Sequence, residues 1–422
     1  RLILASIVLL AAALLLGAVF FAALPRIVRA MPGRYAYYLP DRLQAWRHVE
    51  HPETLPTPIA PVTATPIPQP SATPTALPTG APTAIPSPTP SPSPTPMPTP
   101  ALPVSTTLTG LRHEPQGWNN CGPTTLAMAL SFWGREETQR EAAPALKPDP
   151  EDKNVSPGEM ADYVRSLGLD VVVRVDGDLD LLKHLLASDF PVIVETWYVR
   201  DAQDQLGHYR LVVGYNDIDE EFLTYDSLHG PDLPIGYQEL DELWRVFNRT
   251  YLVVYPPERE AAVAEVLGSE MDRQVALEAA LETARQEAQN PPADCVAYAD
   301  CADAETFAWF NVGSGLAALG RYEEAAAAFD QARRLGLHFR MLWYQFGPYE
   351  AYHAVGRYED VIALANATLA TTSNLEESYY WRGRAKLGMG DVEGARADFE
   401  TALRYHEGWP PAQEVLEALE AE

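Results

Sequence analysis

The sequence predicts an α+β domain followed by an all-α solenoid, preceded by an N-terminal transmembrane helix and a Pro/Thr/Ser-rich linker. Three observations carry this. Over residues 108–256, amphipathic helical runs give way to alternating β-branched runs separated by turn residues. Over residues 257–422 the pattern is helical throughout and a short Gly-aromatic-acidic motif recurs. Between them and the N-terminus lies a stretch unlike either: nineteen of the chain's 38 prolines fall between Pro52 and Pro103.

Leu2 to Leu24 contains no charged residue, and its length matches the ~20 residues that cross a bilayer as a helix. A secretory signal peptide is the rival, but its apolar core runs only ~7–15 residues. The expectation is an anchor at residues 1–24 with a juxtamembrane segment at 25–50. Arg26, Arg29 and Arg34 follow the span, and the positive-inside rule would hold them in the cytoplasm. The next segment argues the other way. Proline fixes φ and removes amide donors, so residues 51–107 should form neither helix nor sheet but a disordered, semi-rigid spacer. At ~3 Å per residue it would reach on the order of 150 Å, as a cell-wall stalk does. This places the chain in the cell membrane, single-pass, with both folded domains outside the cytoplasm.

In the α+β domain, Cys121 to Gly134 reads as a buried helix. Ser156-Pro157-Gly158-Glu159 is a capping box with proline at the first helical position, and Gly168 closes that helix. Leu169–Val175 is a strand, Asp178–Leu186 a helix and Pro191–Trp197 a strand. His208–Tyr215 and Glu221–Tyr225 pair through a turn at Asn216–Asp219, Tyr237–Phe247 is a helix, and Thr250–Tyr255 the last strand. In the helical region GRYEEA, GRYEDV and GDVEGA begin at Gly320, Gly356 and Gly390, 36 and 34 residues apart. The period and the small/aromatic alternation (Gly313, Ala325, Phe329 and Ala332, then Gly383, Ala395, Phe399 and Ala402) resemble tetratricopeptide repeats, a fold that implies a protein partner. The second repeat departs from the pattern with Thr368 where a small apolar residue is expected. Pro411 to Glu420 should cap the stack.

The 58 acidic and 31 basic residues leave a formal charge of −27, which argues against nucleic acid as a partner. Three cysteines exclude a disulfide scaffold and a four-cysteine zinc site. No His/Cys/carboxylate spacing suggests a metal and no Gly-rich loop a phosphate, so no cofactor is expected. Cys295 and Cys301 are candidates for a small disulfide in an oxidising compartment.

The chemistry points to QGWNNCGPTTL. Cys121 stands at a helix start, where unsatisfied N–H groups and the helix dipole favour thiolate. His208 begins one strand and Asp226 ends the next, so adjacent antiparallel strands can set imidazole and carboxylate side by side, with the other ring nitrogen facing Cys121. Gln116, with the Cys121 backbone N–H, could stabilise an oxyanion. Asn120 and Trp118 are candidates for substrate contacts. His113 and His229 lie in loops nearby, and His184 on an amphipathic helix, each read as structural or surface.

Gln-then-Cys on a helix start, His on a later strand and Asp after it is the chain order of papain-like cysteine peptidases. The segments NNCGPTTLAMAL, GHYRLVVGY and YDS resemble the bacteriocin (double-glycine) leader peptidase-like group over about residues 108–255. The resemblance implies a papain-like fold, a peptide or protein substrate, Cys121 as nucleophile, His208 as general base and acid, Asp226 as its orienter and Gln116 as oxyanion donor. Two departures stand out: Ser227 replaces the proline that often follows the acid, and the transporter domains that accompany leader peptidases are absent. A transpeptidase using the same triad and a non-catalytic surface adaptor are the alternatives.

Overall fold

The computed structural model describes residues 22–36, 39–40, 43, 53–59, 102–201, 204–297, 301 and 303–421. The expected anchor at 1–24 lies almost wholly outside these residues. Among the described residues no helix is long and apolar enough to cross a membrane.

Among the described residues seven strands form one antiparallel sheet, six in the order β2-β7-β3-β4-β5-β6 and β1 added beside β4. They are β1 (Ser105–Thr107), β2 (Asp170–Arg174), β3 (Val192–Asp201), β4 (Asp204–Asn216), β5 (Glu221–Asp226), β6 (Gly230–Gly236) and β7 (Tyr251–Tyr255). The long β4 is shared: β3 pairs with it up to Val212, and β1 takes over beyond, Thr107 opposite Gly214. Its other edge pairs with β5 from Leu211 onward. Three helices cover one face, α1 (Cys121–Phe132), α2 (Gln139–Leu146) and α3 (Pro157–Ser166), burying Leu126, Leu130, Met160 and Val164 against Ile193, Leu211 and Val254. The opposite face takes α4 (Leu179–Ala187) and α5 (Tyr237–Arg245). The alternation of β-branched and aromatic residues along the strands feeds both layers.

The local signals act as expected. Ser156 accepts from the Glu159 N–H while Glu159 accepts from Ser156 N at 2.7 Å, and Asp178 caps α4. Strands β1 and β6 and helix α2, which has Pro144 inside it, were not foreseen. The β3–β4 hairpin extends further than the alternation suggested, because Trp197 is buried against the helical region rather than ending the strand.

Beyond β7 the chain is helical: α6 (Glu260–Leu267), α7 (Arg273–Gln289), then the pairs α8 (Ala304–Ala318) with α9 (Tyr322–Leu335), α10 (Gly347–Ala354) with α11 (Tyr358–Thr371), α12 (Glu376–Gly388) with α13 (Val392–Tyr405), and a closing α14 (Pro410–Ala421). Each pair turns on a left-handed glycine, Gly320 (φ 73°), Gly356 (φ 75°) and Gly390 (φ 84°), a conformation only glycine adopts without strain. A Cβ on Gly313 or Gly383 would stand 2.6 or 2.8 Å from the ring of Phe329 or Phe399, so small residues and aromatics interlock as the repeat pattern implied. Thr368 is accommodated because its hydroxyl accepts from Tyr349 at 3.0 Å inside the core. Cys295 and Cys301 are joined in a disulfide.

The sheet and the repeats share one core. Trp197 meets Phe307, His338 and Tyr344, and Arg340 donates to Asp204 and to the Gln205 carbonyl. On another side the third repeat reaches the loop before α3: Asn154 donates to Glu377 at 3.1 Å and Asn374 to Asp149 at 2.6 Å.

The expectation of an unstructured stretch at 51–107 gives way at both ends. Residues 53–59 lie against the repeats, where Thr54 bridges His338. At the other end β1 joins the sheet and the Tyr215 hydroxyl donates to the Pro103 carbonyl. Proline removes N–H donors but leaves every carbonyl as an acceptor. Upstream, a single helical turn at Gly33–Ala36 sits on the α+β domain, the Gly33 and Arg34 N–H groups donating to Glu151. The proline-rich stretch therefore starts and ends on one folded body.

Candidate active site

The site forms where β5 runs out. Pairing between β4 and β5 stops at Leu211–Tyr225, so the Tyr209 N–H and C=O on that edge lack a strand partner. The start of α1 fills the gap: the Thr125 hydroxyl donates to the Tyr209 carbonyl at 3.2 Å, and the Tyr209 N–H points at the Cys121 sulfur. Gly122 lets the start of α1 sit close to the segment before α3, since a Cβ there would stand 3.1 Å from Val155.

One residue before Tyr209, His208 is 1% exposed, and its Nε2 donates to Asp226 Oδ1 at 3.0 Å. Asp226 is fixed from several directions. Its Oδ1 also accepts from the Leu228 and His229 N–H groups, and its Oδ2 from Arg210 Nε at 3.2 Å. Arg210 in turn donates to Thr196. These donors hold the Asp226 carboxyl far below the usual carboxylate range against the opposing effect of burial. With the proton on Nε2, a neutral His208 presents a bare Nδ1, and that atom is buried without a hydrogen-bond partner. No hydrogen bond joins it to Cys121.

Burial reverses the expected ionisation of the cysteine. Cys121 keeps some exposure, yet crowding by protein pushes its thiol up, although the Tyr209 and Gly122 N–H groups and Lys147 pull the other way. Burial likewise lowers His208, with Asp226 opposing. Both shifts run against a thiolate–imidazolium pair. Glu195, opposite Tyr209 on β3, raises the thiol further once it is ionised, although burial holds its own carboxyl up to about 8.

Gln116 is anchored at both ends. Its N–H donates to the Ser227 carbonyl at 2.9 Å, and the Ser227 hydroxyl donates to its Oε1 at 2.7 Å. With Oε1 occupied, the side-chain amide N–H group is the part left to donate. Asn120 and Trp118 are engaged within the protein. Asn120 donates to Gln139 at 2.9 Å; Trp118 donates to Glu151 at 3.1 Å, carries Lys153 over its ring at 4.3 Å, and is so close to Gly33 that a side chain there would collide with it. His113 donates from Nε2 to the Asp226 carbonyl, His229 pairs with the Tyr198 hydroxyl, and His184 donates to the Asp180 carbonyl within α4.

Arg210, Glu195 and Lys147 escaped the sequence reading, and Ser227 entered it only as a departure from the family pattern, not as the partner of Gln116. The only signal was a charged residue inside an apolar strand, as with Arg210 in HYRLVV and Glu195 in VIVETW. Spacing also concealed a convergence of Glu159, Glu376 and His406, whose ligand atoms lie within 4.8 Å of one another. There His406 pairs with Glu376 at 2.7 Å while Glu159 caps α3, so these groups answer each other across the two domains.

Residues 107–252 match the family model of the Peptidase_C39 like family, and residues 376–406 that of the tetratricopeptide repeat. A C39-like peptidase domain is fused to tetratricopeptide repeats. No curated protein matches the chain. Among solved structures, one described as a C39-like peptidase from Bacillus anthracis is 14% identical, aligning 36% of this chain with 96% of that one at a TM-score of 0.30. MamA from Desulfovibrio magneticus RS-1 (residues 41 to the end) and a MamA RS-1 double mutant are each 20% identical over 35% of this chain and 75% of theirs, with a TM-score of 0.27.

Proposed function

We propose that the C39-like domain is a cysteine peptidase that cleaves peptide or amide bonds, displayed outside the cytoplasm on a membrane anchor, with the repeats engaging a protein partner. The observation that carries the catalytic reading is the His208–Asp226 pair, which leaves a buried, unpartnered Nδ1 one residue from the backbone N–H that faces Cys121.

In this reading substrate binding brings the thiol to Nδ1. As sulfur attacks the carbonyl carbon, its proton passes to Nδ1, and Asp226 stabilises the imidazolium. The Gln116 amide, steadied by Ser227, and a backbone N–H receive the oxyanion. His208 then protonates the leaving amine, and water, deprotonated by the same nitrogen, releases the acyl group. An acceptor amine in place of water would make the enzyme a transpeptidase. The uncharged Leu2–Leu24 stretch and the Cys295–Cys301 bridge support export and anchoring.

The test is labelling by a thiol-directed probe followed by peptide mapping, alongside cleavage of a peptide library. Modification and turnover should both vanish in Cys121→Ala while its circular dichroism stays unchanged. Turnover that survives in this variant removes the enzyme reading, and a folded wild type with neither labelling nor turnover leaves a binding module.

A further inference from the structure

Residues 53–59 contact the repeats as a ligand would. The segment adds to the turn after α9 as a short antiparallel strand: Leu55 N–H donates to the Leu337 carbonyl at 2.8 Å, and Phe339 N–H to the Glu53 carbonyl at 3.2 Å. Leu55 is 4% exposed, its side chain sunk in the repeat core. Beyond it a buried ion pair reads the backbone. Arg333 donates from Nε to the Pro56 carbonyl at 2.8 Å and from Nη2 to the Thr57 carbonyl at 3.0 Å. Asp360, held by Arg333 at 2.8 Å and by Arg357, accepts from Ile59 N–H at 3.0 Å.

This set of contacts has a chemical selectivity. The donors used on the segment, Leu55 and Ile59, are the ones that must not be proline. At positions 56 and 58 nothing asks for an N–H, and proline there fixes the extended backbone in advance, lowering the ordering cost of docking. Arg333 and Asp360 are 1% and 2% exposed, so without the segment two buried charges would lose hydrogen-bond partners. The same spacing occurs again in the linker at Leu77-Pro78-Thr79, with Ala81 supplying an N–H where Ile59 does.

We propose that Leu337–Phe339, Arg333 and Asp360 form a binding site for extended Leu-Pro-Thr peptides, and that the chain's own residues 53–59 are its resident ligand. The site shares no residue with the proposed triad and does not depend on the peptidase reading. Docking there ties the start of the proline-rich stretch to the repeats, and release would lengthen the tether.

The experiment uses the full chain with residues 53–59 replaced by Gly/Ser and a fluorescent Glu-Thr-Leu-Pro-Thr-Pro-Ile peptide, read by anisotropy. The emptied chain should bind the peptide at least tenfold more tightly than the intact chain, whose site is filled. Arg333→Met in the emptied chain should abolish that binding. A Thr-Ala-Leu-Pro-Thr-Gly-Ala peptide should compete, and a peptide with Leu replaced by Asp should not. Leu55→Asp in the intact chain, which alters no repeat residue, should show intermediate uptake. Absence of binding to the emptied and Leu55→Asp chains, both folded by circular dichroism, overturns the proposal. Unfolding of both also overturns it, because the segment would then be part of the core rather than a ligand.

Discussion

At the scale of single residues, the decisive balance is between a helix terminus and burial at Cys121. A helix N-terminus contributes about 0.3–1 kcal/mol toward an anion, whereas desolvation can move a buried group by several pKa units. Here desolvation is the larger effect, and it pushes the thiol up. Iodoacetamide labelling of Cys121 should therefore rise with pH to an inflection above the usual thiol value. An inflection below pH 7 would instead reveal a thiolate–imidazolium pair.

Glu195 offers a stability test with a definite sign. Its unfolded carboxyl ionises near 4.5, but the folded one holds its proton to about 8. Between those values unfolding releases a proton, so stability falls as pH rises, by about 1.4 kcal/mol per unit from this group alone, and levels off above 8. Glu195→Gln should flatten that slope in urea midpoints measured from pH 5 to pH 8. Ser227 makes a third case. Ser227→Ala should lower kcat about tenfold with little change in KM, because it frees the Gln116 amide while leaving the His208–Asp226 pair in place. Ser227→Thr, which keeps the hydroxyl, should restore the rate.

At the scale of elements, two close approaches set the architecture. Gly122 lets α1 sit close to Val155 before α3, and Gly383 lets α12 lie against Phe399 of α13. Phe399 is fully buried and has nowhere to retreat. Gly383→Val should cost the third repeat about 2 kcal/mol through overpacking. Hydrogen exchange should show the loss in α12 and α13 first, since a terminal repeat has a neighbour on one side only. The recurrent glycine turns and the capping box at Ser156–Glu159 were legible in advance because each is a local conformational requirement. Helix α2 was not, because Pro144 within it reads as a breaker. Strand β6 was not, because Pro234 in a seven-residue run argues against pairing.

At the scale of the whole molecule, the peptidase sheet and the repeats are not separate modules on a string. Trp197, from a peptidase strand, is fully buried among Phe247, Phe307 and Tyr344, two of which belong to the helical region. Trp197→Ala should cost about 3–5 kcal/mol. Calorimetry should give one transition for both domains, and exchange protection should fall in β3 and α8 together. Loss confined to β3 would show the two bodies to be independent.

By itself the amino-acid sequence determined most element types (not β1, β6 or α2), the repeat period and the identity of the candidate nucleophile, base and orienter. Those follow from periodicity, capping and motif, which act over a few residues. The tertiary structure decided the rest. It put the thiol in a setting where burial outweighs the helix dipole, gave Asp226 an arginine partner and Gln116 a serine one, engaged Asn120 and Trp118 within the protein, and seated part of the proline-rich stretch on the repeats. Each of these depends on which distant atoms come to share a space without water, and neither propensity nor spacing along the chain encodes that.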